Sequence, residues 1–414
     1  MITADLGARL EGILRAAAAA GELPASAAAV RAAGTWRPAP PHSGGGPGTY
    51  ATSLPFILAT AAGGDPAALA GMLADRMAGA GLVRAVVTGG GYLTVTVSNQ
   101  LLAALAPRVT AAGPACAASD ALRGTVLAAA PGGDLSARPG WQQAGQLVAA
   151  QAGRRLAECA GATITFDGER GRAPADQAPP QPAAAPGGPL RRGDVAGVGS
   201  SGVGRAAGGA RPGEEAGRGS AGPGSAANGG ARPGEMAGAE SPVAAAVGWL
   251  GADAVRYELA RTAAGRAART GGQLIVAPGV PAAFAMVRGA HADAAGTLRW
   301  AAERGLGPGE PDAASAELLC GPAERELLAA ISWLPERVAG AARRQRPAEL
   351  TGYLEWLAGC WLDCQDACPA LPFRGRLAPR SGAGIAARLW LAAAAGTAMS
   401  AGLGLLGVAA AGRR

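Results

Sequence analysis

Ala210-Arg-Pro-Gly-Glu-Glu-Ala-Gly217 returns as Ala231-Arg-Pro-Gly-Glu-Met-Ala-Gly238, inside a stretch from 171 to 241 rich in Gly, Pro, Ala and Arg. Such a composition has no helical or strand periodicity. It cannot bury enough apolar surface to offset an ordering entropy of roughly 1–2 kcal/mol per residue. We therefore read 171–241 as a long disordered linker. It splits the 414-residue chain into two halves expected to fold separately: an α+β domain ahead of it and an all-α helical bundle behind.

Ahead of the linker, Ile2, Leu6, Leu10, Ile13 and Ala17 recur at helical spacing. A second helix should follow Tyr50, with Leu54, Ile57, Leu58 and Ala61 inward. Asp65-Pro66 should open a third, because Asp65 can cap free amides and Pro66 suits the first helical position. Its apolar stripe is Leu69, Met72, Leu73 and Met77. Two strands are expected at Val83–Thr88 and Tyr92–Val97, joined by Gly89-Gly90-Gly91. Leu93, Val95 and Val97 must face the core, which leaves Tyr92 and Thr94 together on the outer face. The domain is read as residues 1–112. Residues 113–170 give weaker signals and are read as a poorly defined remnant, with a helix at Trp141–Cys159 and a strand at Thr163–Phe166.

Behind the linker, residues 242–414 read as helical almost throughout. Leu327, Ile331, Leu334, Val338 and Ala342 make one stripe, kinked at Pro335. Leu350, Leu354, Leu357, Trp361 and Cys364 make another, stopped by Pro369 and Pro372. A last pair of helices is expected from Gly384 to Val408. This is the pattern of a helical bundle.

The net charge is +7 and all 37 basic residues are arginine. Arginine suits phosphate, because its planar fork donates two parallel hydrogen bonds. Without lysine there can be no P-loop and no Schiff base. The two histidines, His42 and His291, lie in different halves, and His291 reads as a packed or capping residue. Gly197-Val-Gly199-Ser-Ser-Gly202 spells a dinucleotide fingerprint, but no strand precedes it and no helix follows. Cys360, Cys364 and Cys368 are spaced four apart and read as small buried thiols rather than a metal site. No cofactor or metal is expected. The six cysteines form no secreted framework and Met1–Ala20 is no signal peptide, so a cytoplasmic location is expected. The uncharged run Leu389–Gly412 is long enough to cross a bilayer. Its alanine and glycine content favours packing inside the bundle over a membrane anchor.

Several motifs point to one family. Gly251-Ala-Asp-Ala-Val-Arg256-Tyr257, Ala290-His291-Ala292, Tyr353-Leu354-x-x-Leu357-Ala358, Cys368-Pro369-Ala-Leu371 and Gly402-Leu-Gly-Leu405-Leu406-Gly407-Val408 occur in that order. They resemble the DALR anticodon-binding domain of arginyl-tRNA synthetases, with Asp293 where the family usually has arginine. Gly48-Thr49-Tyr50-Ala51-Thr52-Ser53 and Gly89-Gly-Gly-Tyr92-Leu93-Thr94 resemble two motifs of the synthetases' N-terminal domain. Asp and Asn are lost from the first, and Thr94 stands for Asn in the second. The chain most resembles the NrtL-type relatives that keep both ends of the synthetase and lack its catalytic core.

The resemblance implies a non-catalytic tRNA-binding protein that contacts the D-loop and the anticodon arm. An arginine tRNA is the isoacceptor it suggests. No His-x-Gly-His or Lys-Met-Ser-Lys sequence is present, so aminoacylation is not expected. The expected tRNA-contacting residues are Tyr50, Tyr92, Thr94, Arg343, Arg344, Arg346, Arg374 and Arg376, with Arg380 in the last cluster. The other reading is a protein-interaction scaffold in which the former tRNA surfaces bind a protein partner.

Overall fold

The first helix, α1 (Ile2–Ala19), buries Ile2, Leu6, Leu10, Leu14 and Ala17, so the helical spacing at the N-terminus is realised with Leu14 in the core and the expected Ile13 only half-buried. The computed structural model describes residues 2–32, 34–38, 46–78, 83–129, 133–138, 140–166, 241–262, 282–309, 317–372 and 381–410. Residues 171–240 of the expected linker therefore lie outside the described residues, as do His42, Arg374, Arg376 and Arg380.

After α1 come strands β1 (Trp36–Pro38) and β2 (Thr49–Thr52), helices α2 (Leu54–Ala62) and α3 (Pro66–Ala78), and strands β3 (Val83–Thr88) and β4 (Tyr92–Val97). The strands form one antiparallel sheet in the order β1-β2-β4-β3. Asp65 opens α3 as its composition suggested, accepting the amides of Ala67 and Ala68 at 3.2 and 3.1 Å. The β3–β4 turn needs glycine, since Gly89 and Gly90 have φ of 55° and 74°, a left-handed conformation that side chains disfavour. Leu93, Val95 and Val97 are buried on the sheet's inner face, and α2 and α3 pack against it.

Short helices α4 (Asn99–Ala103) and α5 (Leu105–Ala112) and a 3-10 turn at Gly113–Ala117 follow. The region read as a poorly defined remnant is regular. Strand β5 (Val126–Ala129) was not expected. It pairs in parallel with β6 (Thr163–Phe166), and α6 (Trp141–Cys159) links them. This is a β-α-β unit, the arrangement that parallel strands require because a short turn cannot return the chain. Val126 is 63% exposed, too wet for the apolar run that announces a buried parallel strand.

The remaining helices are α7 (Pro242–Leu250), α8 (Ala252–Arg261), α9 (Ala282–Ala302), α10 (Pro322–Ser332), α11 (Leu334–Arg344), α12 (Pro347–Ala367) and α13 (Gly382–Leu406). Two expectations change here. The stripe from Leu327 to Ala342 is carried by two helices that break at Trp333, rather than by one kinked helix. Pro335 sits in the first turn of α11, where a missing N–H costs nothing. The expected final pair of helices is a single 25-residue helix, α13, because no residue between 382 and 406 breaks it. That helix is long and apolar enough to span a membrane, yet 67% of its most apolar window is buried against the rest of the protein. It packs on α9, α5, α12 and the 113–117 turn.

The two halves do not stand apart as expected. Apart from 172–239, the chain forms one compact unit, and besides helix packing across the seam three fastenings join the halves among the described residues. Arg325 donates to the Pro47 carbonyl at 3.2 Å. The Tyr50 hydroxyl meets the Ser332 hydroxyl at 2.7 Å, and its ring lies 5.1 Å from that of Trp333. Gly34 is gripped from both sides: Arg343 donates to its carbonyl at 3.4 Å, and Glu336 accepts its N–H. Gly34 has φ +76°, and a Cβ there would overlap the Arg343 guanidinium. Gly34→Ala is expected to lower stability by about 1–3 kcal/mol through backbone strain and displacement of Arg343. The shift in urea midpoint measures it, and an unchanged midpoint would remove this fastening from the account.

Burial holds Glu336 above the usual carboxylate range, partly opposed by Arg343 and by the Gly34 N–H. A carboxyl raised in the folded state favours the fold at acid pH, and that contribution is lost as pH rises through the folded value. Glu336→Gln should therefore flatten the fall in stability over that window. Urea midpoints taken across a pH series would show it.

Candidate nucleic-acid interface

Pairing register decides what the sheet shows to solvent. Arg37 lies opposite Ala51, Ala51 opposite Thr94, and Thr94 opposite Val86. A second row runs Thr49, Thr96, Arg84, and Thr88 lies opposite Tyr92. All these side chains fall on the face opposite Leu93 and Val95. Tyr92 is 40% exposed, and its ring leans on Phe56 with centroids 4.9 Å apart. That contact limits its rotamers and leaves part of the ring open to a planar partner.

Thr94 shares this face but is not a free contact group. It is 2% exposed, covered by its cross-strand neighbours, and its hydroxyl pairs with that of Thr88 at 2.7 Å. A central strand position shielded on both sides explains the difference from the exposed threonine expected. Two residues that the sequence reading passed over take its place. Arg37 and Arg84 are exposed on the same face, and strands β1 to β4 contain no Asp or Glu. The exposed groups of this face thus include two cations, one aromatic ring and Val86, with Thr49 and Thr94 buried between them and no carboxylate from its own strands. The period-2 pattern contained this signal, had the register of β1 been readable.

Tyr50, also expected to touch RNA, is fully buried. Its face is the inner one, opposite Val95, and burial raises its phenol well above the ordinary range. The residue fastens the seam and presents nothing to a ligand.

On the bundle, the three arginines at the end of α11 are exposed but differ in their engagements. Arg343 donates to the carbonyls of Ala339 and Gly34 at 3.3 and 3.4 Å. Arg344 pairs with Glu349, its Nε 2.6 Å from the carboxylate. Arg346 stands exposed immediately ahead of α12. A phosphate would therefore meet Arg346 directly and compete with Glu349 for Arg344. Arg374 and Arg376 fall outside the described residues.

Asp293, the departure noted after Ala290-His291-Ala292, has a local purpose. Its carboxylate accepts from Trp361 Nε1 at 3.0 Å and from Gln365 at 3.3 Å, tying α9 to α12. His291 is 9% exposed and lines a cavity of about 380 Å³ with Thr110, Thr397 and Ser400. Among the described residues, no group of three or more His, Cys, Asp or Glu is placed to hold a metal ion.

Comparison with known proteins fits the helical half. Residues 290–413 match the DALR anticodon binding domain. The arginine–tRNA ligase of Micrococcus luteus is 38% identical over 166 residues, which cover 40% of this chain and 29% of that protein. The arginine–tRNA ligase of Paenarthrobacter aurescens is 34% identical over 168 residues, again 40% of this chain and 29% of the relative. That of Nitratidesulfovibrio vulgaris is 38% identical over 125 residues, 30% of this chain and 22% of the relative. The matched stretch thus spans under a third of each of these relatives. The class of domain in the C-terminal half is a DALR-type helical bundle, joined here to an α/β N-terminal half.

Proposed function

We propose that the chain is a cytoplasmic tRNA-binding protein with no aminoacylation activity, which contacts the anticodon arm through its bundle and a looped strand through its sheet. The match of residues 290–413 to an anticodon-binding domain carries this reading. The open sheet face supports it, since a single-stranded loop offers both a base to stack on Tyr92 and phosphates for Arg37 and Arg84. Lack of aminoacylation is supported by the absence of lysine.

Filter binding of the pure protein to total tRNA, followed by sequencing of the retained RNA, tests the binding and reports the isoacceptor. Failure to bind at low salt would replace this reading with a protein-partner scaffold. Arginine-dependent pyrophosphate exchange above background would overturn the non-catalytic part. Two variants separate the contacts. Tyr92→Ala should cost about 1–3 kcal/mol of tRNA affinity without changing its salt dependence. Arg84→Ala should instead reduce the log–log salt slope by about 0.7–0.9. Arg346→Ala tests the bundle in the same way. An unaltered slope in both arginine variants would remove those phosphate contacts.

A further inference from the structure

Four of the six cysteines lie in the bundle, and they differ in access. Cys360 and Cys364 are buried, Cys368 is half-buried and Cys320 is exposed. Cys368 is the residue at which α12 ends, its N–H bonded to the Cys364 carbonyl at 2.7 Å. Cys320 lies in the extended segment just before α10. That segment passes over the end of α12: the Cys368 Sγ is 3.4 Å from the position a Cβ would take on Gly321, the residue next to Cys320. Gly321 has no side chain to part the two elements. Its N–H is spent on Glu324 at 2.8 Å, which holds the segment in place.

We propose that Cys320 and Cys368 are a reversible thiol–disulfide pair that cross-links the entrance of α10 to the exit of α12. Burial, then Glu324, and then Cys320 push the Cys368 thiol up, against the pull of Arg388. The difference in access sets the order of chemistry, because the oxidant reaches the exposed Cys320 before the half-buried Cys368. With a small-molecule disulfide as oxidant, the exposed Cys320 thiolate attacks one of its sulfurs. A mixed disulfide forms and one small thiolate leaves. Cys368, as its thiolate, then attacks the Cys320 sulfur and expels the second small thiolate. Two protein thiols become one disulfide, and the oxidant is reduced to two thiols. The second step should quicken as pH rises, because Cys368 must first lose its proton.

The cross-link would fix the first turn of α10, the helix that also carries Arg325 to the seam. The experiment equilibrates the full chain in oxidised and reduced glutathione at several ratios, quenches by alkylation and maps peptides without reduction. The expected product joins the Cys320 and Cys368 peptides. It should vanish in Cys320→Ser and on adding dithiothreitol, and it should be preceded by a Cys320–glutathione adduct that decays faster at higher pH. The unfolding midpoint of the oxidised wild type should exceed that of the reduced protein, with no such difference in Cys320→Ser. A stable glutathione adduct on Cys320 with Cys368 still alkylated would overturn the proposal. So would an oxidised product that joins Cys320 to a different cysteine.

Discussion

Tyr50→Ala is expected to lower stability by about 3–5 kcal/mol, the usual cost of removing a fully buried aromatic side chain. Tyr50 has no exposed surface, packs on Trp333 and bonds Ser332 across the seam. The Ser332 hydroxyl already donates to the Ala329 carbonyl at 2.6 Å, so the phenol is the donor in the Tyr50–Ser332 bond. Tyr50→Phe keeps the ring and loses that one bond, at about 1 kcal/mol. Chemical denaturation ranks the two variants, and tRNA binding separates seam from surface. The Phe variant should bind RNA as wild type does. A large loss of affinity at near-normal stability would restore Tyr50 as a contact residue.

Glu324→Ala is expected to cost a similar amount, about 3–5 kcal/mol, because it strands a partly buried cation. Glu324 is 1% exposed, while its partner Arg388 has 23% of its side chain exposed at a separation of 2.7 Å. The same carboxylate accepts the Gly321 amide, and Arg388 also donates to the Pro369 carbonyl at 3.1 Å. One ion pair therefore organises the start of α10, the end of α12 and the first turns of α13. Replacing both partners, as Glu324→Leu with Arg388→Met, should be less harmful than Glu324→Ala alone. If the double variant proved the worse of the two, the pair would be contributing net stability beyond its own desolvation cost.

Periodicity made most elements legible. The helices at 2–19, 66–78, 141–159 and 347–367 and the strands at 83–88 and 92–97 follow from spacing, caps and turn residues. What escaped the sequence was long-range. Strand β5 is short and wet, so its run Val126-Leu-Ala-Ala129 has no alternation to read. Thr94 and Tyr50 looked available because a motif says nothing about what packs across it. Thr94 is shielded by strands on both sides, and Tyr50 by helices nearly three hundred residues away. Arg37 and Arg84 went unnoticed for the opposite reason. Each is one arginine among many until the register sets both on the face that carries Tyr92.

Helix α13 covers α5 and the 113–117 turn, elements of the N-terminal half, as well as α9 and α12 of the bundle. Ribosomes add about 5–20 residues each second, so α13 emerges roughly 15–60 s after the surfaces of α5 that it will cover. During that interval the nascent N-terminal half displays an apolar face with no lid of its own. Its sheet can form early from local contacts, but its core closes only once α13 has been made. A chain built this way depends on chaperone protection during synthesis more than its many short-range helices would suggest.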